Sequence, residues 1–432
     1  MRLPFSPRLR RHDLLARVAG LAGAVLLGLV AIAFARTGEL AQAAFSGLFA
    51  RHPWLAAAST PLVFVSVVGI TRRWFAEARG SGIPQVMAAQ HNAVASANGP
   101  LLSLRTAAAK FVGTIVMLLG GGAVGREGPT VQISAALMVA VHRWLRVPVN
   151  AGVIIAGGAA GVAAAFNTPL AGVAFAIEEL AAAFEQKVAV MVMATVMIAG
   201  LVSLGVAGDY VYFGAMTTTL PLIQIVVLAP LTGVVGGLAG GLFSRALTRL
   251  NTSTSAPMAA ARRKPLLTAF VCGLVVAAMG LATAGETWGT GYEVTRRLLE
   301  GQQTSLAFGP AKFAAALATA LSGAPGGIFA PSLSVGAGIG QLVALLTMGG
   351  PSGAIVLLGV AAYFTGVVRA PLTGVIIVME MTAQRSMIVP LFITALVADW
   401  VSSQVCPGKL YHALSQNFSV VGNAADKSGS AG

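Results

Sequence analysis

Long apolar runs separated by short clusters of glycine, proline and charge organise the chain. Val18–Ala35, Val188–Val206, Ile223–Leu242 and Pro265–Ala284 each approach or exceed the ~18 residues that suggest a membrane-spanning helix. Such runs recur along nearly the whole length, so the pattern predicts an all-α polytopic membrane protein. Composition agrees. Of 432 residues, 56% are hydrophobic and 10% are charged, and the mean hydropathy is +0.82. A water-soluble core cannot absorb that much apolar surface. Basic residues precede the first run, as in a signal peptide, but the many runs that follow favour a retained first helix.

Charge refines the picture. The formal net charge is +14, from 28 Lys+Arg against 14 Asp+Glu. Arg8, Arg10, Arg11 and Arg17 precede the first run, and Arg72, Arg73 and Arg79 follow the second. Both ends therefore read as cytoplasmic by the excess of positive charge. No basic stretch is interleaved with aromatics, so no nucleic-acid partner is expected. Cys272 and Cys406 give no disulfide framework, and the scattered histidines suggest no metal site. No cofactor is implied.

An internal repeat appears at an offset of 202 residues. "NTPLAGVAFAIEE" (Asn167–Glu179) matches "RAPLTGVIIVMEM" (Arg369–Met381), so Pro169, Gly172 and Glu178 fall on Pro371, Gly374 and Glu380. The same offset carries Lys110 onto Lys312 and Pro129 onto Pro331. A transmembrane domain over residues 1–415 is expected, with repeats at roughly 14–210 and 220–412 and a disordered tail at 416–432. Three segments, "GSGIP" (Gly80–Pro84), "GREGP" (Gly125–Pro129) and "GGIFAP" (Gly326–Pro331), place glycine and then proline at the start of an apolar run. Proline suits a first helical turn, so each segment reads as a helix N-terminus. If these helices begin inside the membrane, their unpaired N–H groups and positive dipole ends suit an anion. The plainer alternative is three kinks in long helices.

"GSGIP", "GREGP", "GGIFAP" and the late tyrosine of "GKLYHAL" together resemble the CLC family of chloride channels and proton/chloride antiporters, in the family's order, from Gly80 to Tyr411. The bacterial type, without C-terminal regulatory domains, is the nearest pattern. The resemblance implies two inverted-topology repeats with discontinuous helices, and a homodimer with one pore per subunit. It also implies a multi-pass location in a cell membrane, the inner membrane of a bacterium. By the same resemblance, the hydroxyls of Ser81 and Tyr411 and the amides of Ile328 and Phe329 hold a central chloride, next to Arg126, Glu127 and Gly128. Neutral dipoles suit a halide that must also leave. Ser81 as a simple helix cap, and Tyr411 as an interfacial aromatic, are the plainer readings.

Glu127 becomes the gate in this reading, occupying an anion site when ionised and leaving it when protonated. Its repeat mate is Phe329, not an acid. Arg126 supports the site or faces an outer vestibule, and Lys110 lends positive potential to the anion path. Glu179, in "IEELA", stands where antiporter members carry the acid that relays cytoplasmic protons; its mate is Met381. Glu178, whose mate is Glu380, reads as structural. The expected function is exchange of chloride for protons across the bilayer. The alternatives are a passive chloride channel of the same fold and a fluoride/proton antiporter, the latter disfavoured by Ser81 and Pro129. An intramembrane serine protease is disfavoured by Arg79 two residues before Ser81, and by the lack of a histidine placed to serve it.

Overall fold

The computed structural model describes residues 7–180, 186–208, 211–253, 255–348 and 352–418. Part of the tail expected at 416–432 lies outside them, although residues 416–418 are helical. The first half comprises α1 (Pro7–Arg51), α2 (Pro53–Trp74), α3 (Ile83–His91), α4 (Ala93–Asn98), α5 (Leu104–Leu119), α6 (Glu127–Trp144), α7 (Ala151–Phe166), α8 (Pro169–Phe175) and α9 (Gln186–Ala207). The second comprises α10 (Leu222–Thr252), α11 (Ala256–Arg263), α12 (Pro265–Ala282), α13 (Tyr292–Leu299), α14 (Phe308–Ser322), α15 (Phe329–Met348), α16 (Gly353–Val368), α17 (Pro371–Thr382) and α18 (Ile388–Val405). A last helix, α19, covers residues 410–418.

Seven of these helices are long and apolar enough to cross a membrane. Others are too short. At 1.5 Å per residue, α8 spans only about 10 Å, a third of the hydrocarbon thickness. Short helices leave backbone N–H groups without intrahelical partners where no water can serve them, so side chains have to reach them. The acids of the repeat do this reciprocally. Glu178 accepts from the amides of Leu372 (3.1 Å) and Thr373 (2.7 Å) and from the Thr373 hydroxyl (2.8 Å), at the start of α17. Glu380 accepts from the amides of Leu170 (3.2 Å) and Ala171 (2.8 Å), at the start of α8. Each half caps the other, which gives Glu178 the structural role its repeat mate suggested.

The offset of 202 holds in detail. α7 and α16 share length and position in the repeat, and both end on a residue in the left-handed region, Asn167 (φ 56°) and Arg369 (φ 60°). Gly125 and Gly327, repeat mates, exchange two backbone hydrogen bonds of 2.7 Å. The two halves therefore touch, mate to mate, where "GREGP" and "GGIFAP" meet. Buried residues of α6, α7, α15 and α16 dominate the surrounding core. One element breaks the likeness. α17 runs as an α-helix to Thr382, whereas α8 passes after Phe175 into a π turn over Ala176–Leu180 that carries Glu179. π turns are uncommon and concentrate at functional sites.

Candidate functional site

The three glycine-proline segments all open helices. Gly82 precedes α3, Arg126 precedes α6, and "GGIFAP" leads into α15 at Phe329. Gly82 adopts φ 110°, and a Cβ there would lie 2.6 Å from the Gly128 carbonyl oxygen, so only glycine permits the two segments to approach so closely. A Cβ on Gly128 would strike the Ser81 hydroxyl in turn. Ser81, Gly128 and the start of α15 thus share one small space.

Ser81 makes no capping hydrogen bond, and its hydroxyl is buried without a hydrogen-bond partner among the described residues. Tyr411 is fully buried rather than interfacial, and its hydroxyl, close to that of Ser81, is also unpaired among the described residues. Both plainer readings fail. Two unpaired buried hydroxyls are costly unless something visits them. They lie, with Ile328, at the deep end of a cavity of about 410 Å³ whose mouth is lined by Arg72, Arg79 and Arg262. Above them Phe329 packs against Phe364 (4.9 Å between ring centres), Phe175 (6.0 Å), Tyr411 (6.0 Å) and Phe166 (6.2 Å).

Glu127 is the first residue of α6 and is fully buried. One oxygen accepts a hydrogen bond of 2.5 Å from the Tyr292 hydroxyl, while the other lies near the amides of Glu127 and Ala330 without a well-formed hydrogen bond. The carboxylate therefore sits where the N-termini of α6 and α15 converge, which is favourable for negative charge. Arg126 turns the other way. Its guanidinium donates to Glu39 (2.9 Å), the Ala35 carbonyl (2.6 Å) and the Tyr212 hydroxyl (2.5 Å), and it lines a second cavity of about 620 Å³ with Tyr212, Tyr292 and Glu293. Its side chain thus lines a vestibule while its charge stays within electrostatic reach of Glu127, so the geometry is compatible with both roles expected for it.

Lys110 is buried but points at backbone. Its ammonium donates to the carbonyls of Arg79 (3.2 Å) and Gly80 (2.7 Å), bracing the segment that presents Ser81. Lys312 does the same for the carbonyls of Thr287 (2.9 Å) and Gly289 (2.8 Å), just before Tyr292. Partnering of this kind is what a membrane-depth lysine requires.

Glu179 lies apart from Glu127, with its side chain fully buried and neither oxygen in a hydrogen bond among the described residues. Lys409 approaches it at 3.5 Å and the exposed His412 at 3.9 Å, both near α19. Partial burial, then the neighbouring Lys409 and His91, hold His412 below the ordinary imidazole value, which favours its neutral form near pH 7. Tyr411 is within electrostatic reach of both Glu179 and Glu127.

Sequence reasoning missed Tyr292, Tyr212, Lys409 and His412. A signal for Tyr292 existed. At an offset of 209 rather than 202, "GSGI" (Gly80–Ile83) falls on "GTGY" (Gly289–Tyr292), and Gly82 and Gly291 both stand before short helices with positive φ. The first half has seven more residues between Ile83 and Lys110 than the second has between Tyr292 and Lys312, which hides the match from a single-offset search.

Residues 63–403 match the family model described as voltage gated chloride channel. The H(+)/Cl(-) exchange transporter ClcA of Vibrio parahaemolyticus is 32% identical over 385 residues, covering 84% of this chain and 81% of that protein. The protein of the same name from Citrobacter koseri is 29% identical over 446 residues, covering 94% and 91%. Among solved structures, a slow cyanobacterial Cl-/H+ antiporter superposes with a TM-score of 0.78 at 23% identity, covering 94% of this chain and 98% of that one. A CLC-type fluoride/proton antiporter superposes with a TM-score of 0.76 at 22% identity, covering 96% and 99%. At such identities the superpositions speak to the fold, which is that of a multi-pass membrane protein. With the family model matched over most of its length and its glycine-proline helix starts gathered around one buried carboxylate, the chain belongs to the voltage-gated chloride channel family, the CLC family.

Proposed function

We propose that this chain exchanges chloride for protons across a bacterial inner membrane. The observation that carries the reading is the position of Glu127. Its carboxylate plugs the convergence of two helix N-termini, between an arginine-lined cavity on one side and a second vestibule on the other. Names borne by the bacterial relatives support the same exchange.

Chloride drawn in by Arg72, Arg79 and Arg262 sheds water onto the unpaired hydroxyls of Ser81 and Tyr411 and the amides of Ile328 and Phe329 at the start of α15. First-turn amides lack intrahelical partners, so they are free to serve an anion. Chloride and the ionised Glu127 then compete for adjoining positive ends of helices. A proton reaching Glu127 removes its charge, weakens its hold and lets chloride pass; the proton leaves to the outer vestibule. Glu179, approached by Lys409 and His412 at the other face, takes protons from the cytoplasm by a route that does not pass the arginine-lined mouth. Lys110 acts indirectly, by fixing the loop that holds Ser81.

Orientation and assembly belong to the same reading. Arg72, Arg79, Arg262 and α19 lie together, whereas Arg36, Glu39 and Glu293 gather at the other vestibule with charges of both signs. The basic side is cytoplasmic by the positive-inside rule, and with it both termini. The active form is a homodimer, as the resemblance implies.

Purified protein in liposomes provides the test. With a chloride gradient imposed and no proton gradient, protons move uphill, opposite to chloride. In Glu127→Gln, chloride still crosses but proton movement stops. Chloride flux with no uphill proton movement in the unmodified protein would establish a passive channel instead.

A further inference from the structure

Four side chains, Tyr292, Tyr212, Arg126 and Glu39, lead from Glu127 to the outer vestibule, joined by hydrogen bonds except for a ring contact between the two tyrosines. Tyr292 donates to the Glu127 carboxylate at 2.5 Å. Its ring rests against Tyr212, with centres 4.6 Å apart, and against Phe213 at 5.7 Å. Tyr212 accepts from Arg126, which is bound to Glu39. Two of these residues come from unusual places. Tyr292 is the first residue of α13, following a left-handed Gly291 (φ 83°) in a loop gripped by Lys312. Tyr212 belongs to the connection between the two halves, which is pinned to the end of α17 by the Phe213 amide on the Met381 carbonyl (2.9 Å).

The repeat shows how one-sided this arrangement is. Tyr292 corresponds to Ile83 on the inner segment, and Thr290 to Ser81. The inner loop offers the path a hydroxyl without a rival acid. The outer loop offers the acid a phenol.

We infer that Tyr292 is a latch, a positioning residue that holds the ionised Glu127 in the anion path and thereby limits the rate of exchange. This rests on Glu127 being the gate. A short hydrogen bond from a neutral phenol is charge-assisted while Glu127 is a carboxylate, and much weaker once the acid is protonated. Release of the gate is thus tied to its protonation, and the phenol keeps its own proton throughout. The rigid ring stack and the lysine-braced loop keep the donor in place, so little freedom is lost each time the latch closes. Of the charged groups around the pair, Arg126 is the N-cap residue of α6 and pairs with Glu39 on α1, Lys312 on α14 is bound to the carbonyls of the loop before Tyr292, and Glu293 on α13 is exposed.

Chloride efflux from liposomes, followed across pH, separates the possibilities with four proteins: unmodified, Tyr292→Phe, Glu127→Gln and the double variant. Tyr292→Phe keeps the ring packing and removes the donor. Its chloride turnover near neutral pH should rise roughly tenfold, because a hydrogen bond to a charged group is lost from the closed state alone. The pH at which turnover falls with rising pH should move upward by roughly one unit, since nothing then favours the ionised acid over the protonated one. Protons should still move uphill. In the Glu127→Gln background the same substitution should change nothing. Turnover and pH profile like those of the unmodified protein, or an equal acceleration with and without Glu127, would overturn the latch; in both cases an uncoupled Glu127→Gln variant leaves the gate intact. A Glu127→Gln protein indistinguishable from the unmodified one would sink both ideas. Tyr292→Leu, also without a donor, carries the same expectations if the phenylalanine variant does not reconstitute.

Discussion

At the scale of single residues, burial with an unpaired polar atom is a feature shared by the side chains proposed to carry chloride and protons. Glu127 has one satisfied oxygen, Glu179 has neither satisfied among the described residues, and the hydroxyls of Ser81 and Tyr411 are bare among the same residues. By contrast, Glu178 and Glu380, one position away or one repeat away, spend both oxygens on backbone amides. The difference separates a group held for structure from one left able to change partner. It leads to a contrast between neighbours. Glu179→Gln, which keeps volume but cannot titrate, should leave chloride flux within about twofold and abolish uphill proton movement, as read by simultaneous chloride and pH electrodes. Proton pumping that survives Glu179→Gln would place the cytoplasmic proton route elsewhere.

At the scale of elements, the decisive devices are ends of helices. α8 and α17 are short, start at prolines and take their caps from each other's repeat, so neither half can complete these helix ends alone. Glu178→Ala strands two amides and a hydroxyl, and should destabilise the protein in detergent by about 1–3 kcal/mol. Glu380→Ala strands two amides and should cost less. Thermal unfolding of the two variants, compared with Glu179→Gln, gives the ranking; a Glu178→Ala protein as stable as the unmodified one would mean that water reaches these ends. The π turn after α8 is the element-scale counterpart of the same logic. It is absent from α17, whose residue 381 is methionine.

At the scale of the whole molecule, two like halves make two unlike vestibules. The lining of one is basic, with Arg72, Arg79 and Arg262; the other mixes Arg36 and Arg296 with Glu39 and Glu293. Such an asymmetry orients a membrane protein during insertion and concentrates anions at one mouth. A fluorescent protein fused to the C-terminus and expressed in a bacterium should therefore glow, because that fold matures in the cytoplasm and not after export through the general secretory route. Single fused particles should bleach in two steps if the protein is a homodimer. A dark fusion would invert the orientation, and single-step bleaching would rule out the dimer.

The sequence by itself determined the membrane class, the repeat and the helix starts, because these are local: apolar length sets spanning, and glycine followed by proline sets a helix N-terminus. Glu127 stood out as an acid at membrane depth, whereas Ser81, Tyr411 and Glu179 were singled out by the resemblance to the CLC family. Tertiary structure alone decided which partners those residues meet. Tyr292 lies 165 positions from Glu127, and Lys409 is likewise remote in sequence from Glu179, so no local pattern couples them. Arg126 shows the limit most plainly: adjacent to Glu127 in sequence, it points to Glu39 on α1, because consecutive residues at a helix start project in different directions. Where each side chain ends is fixed by how the two halves pack.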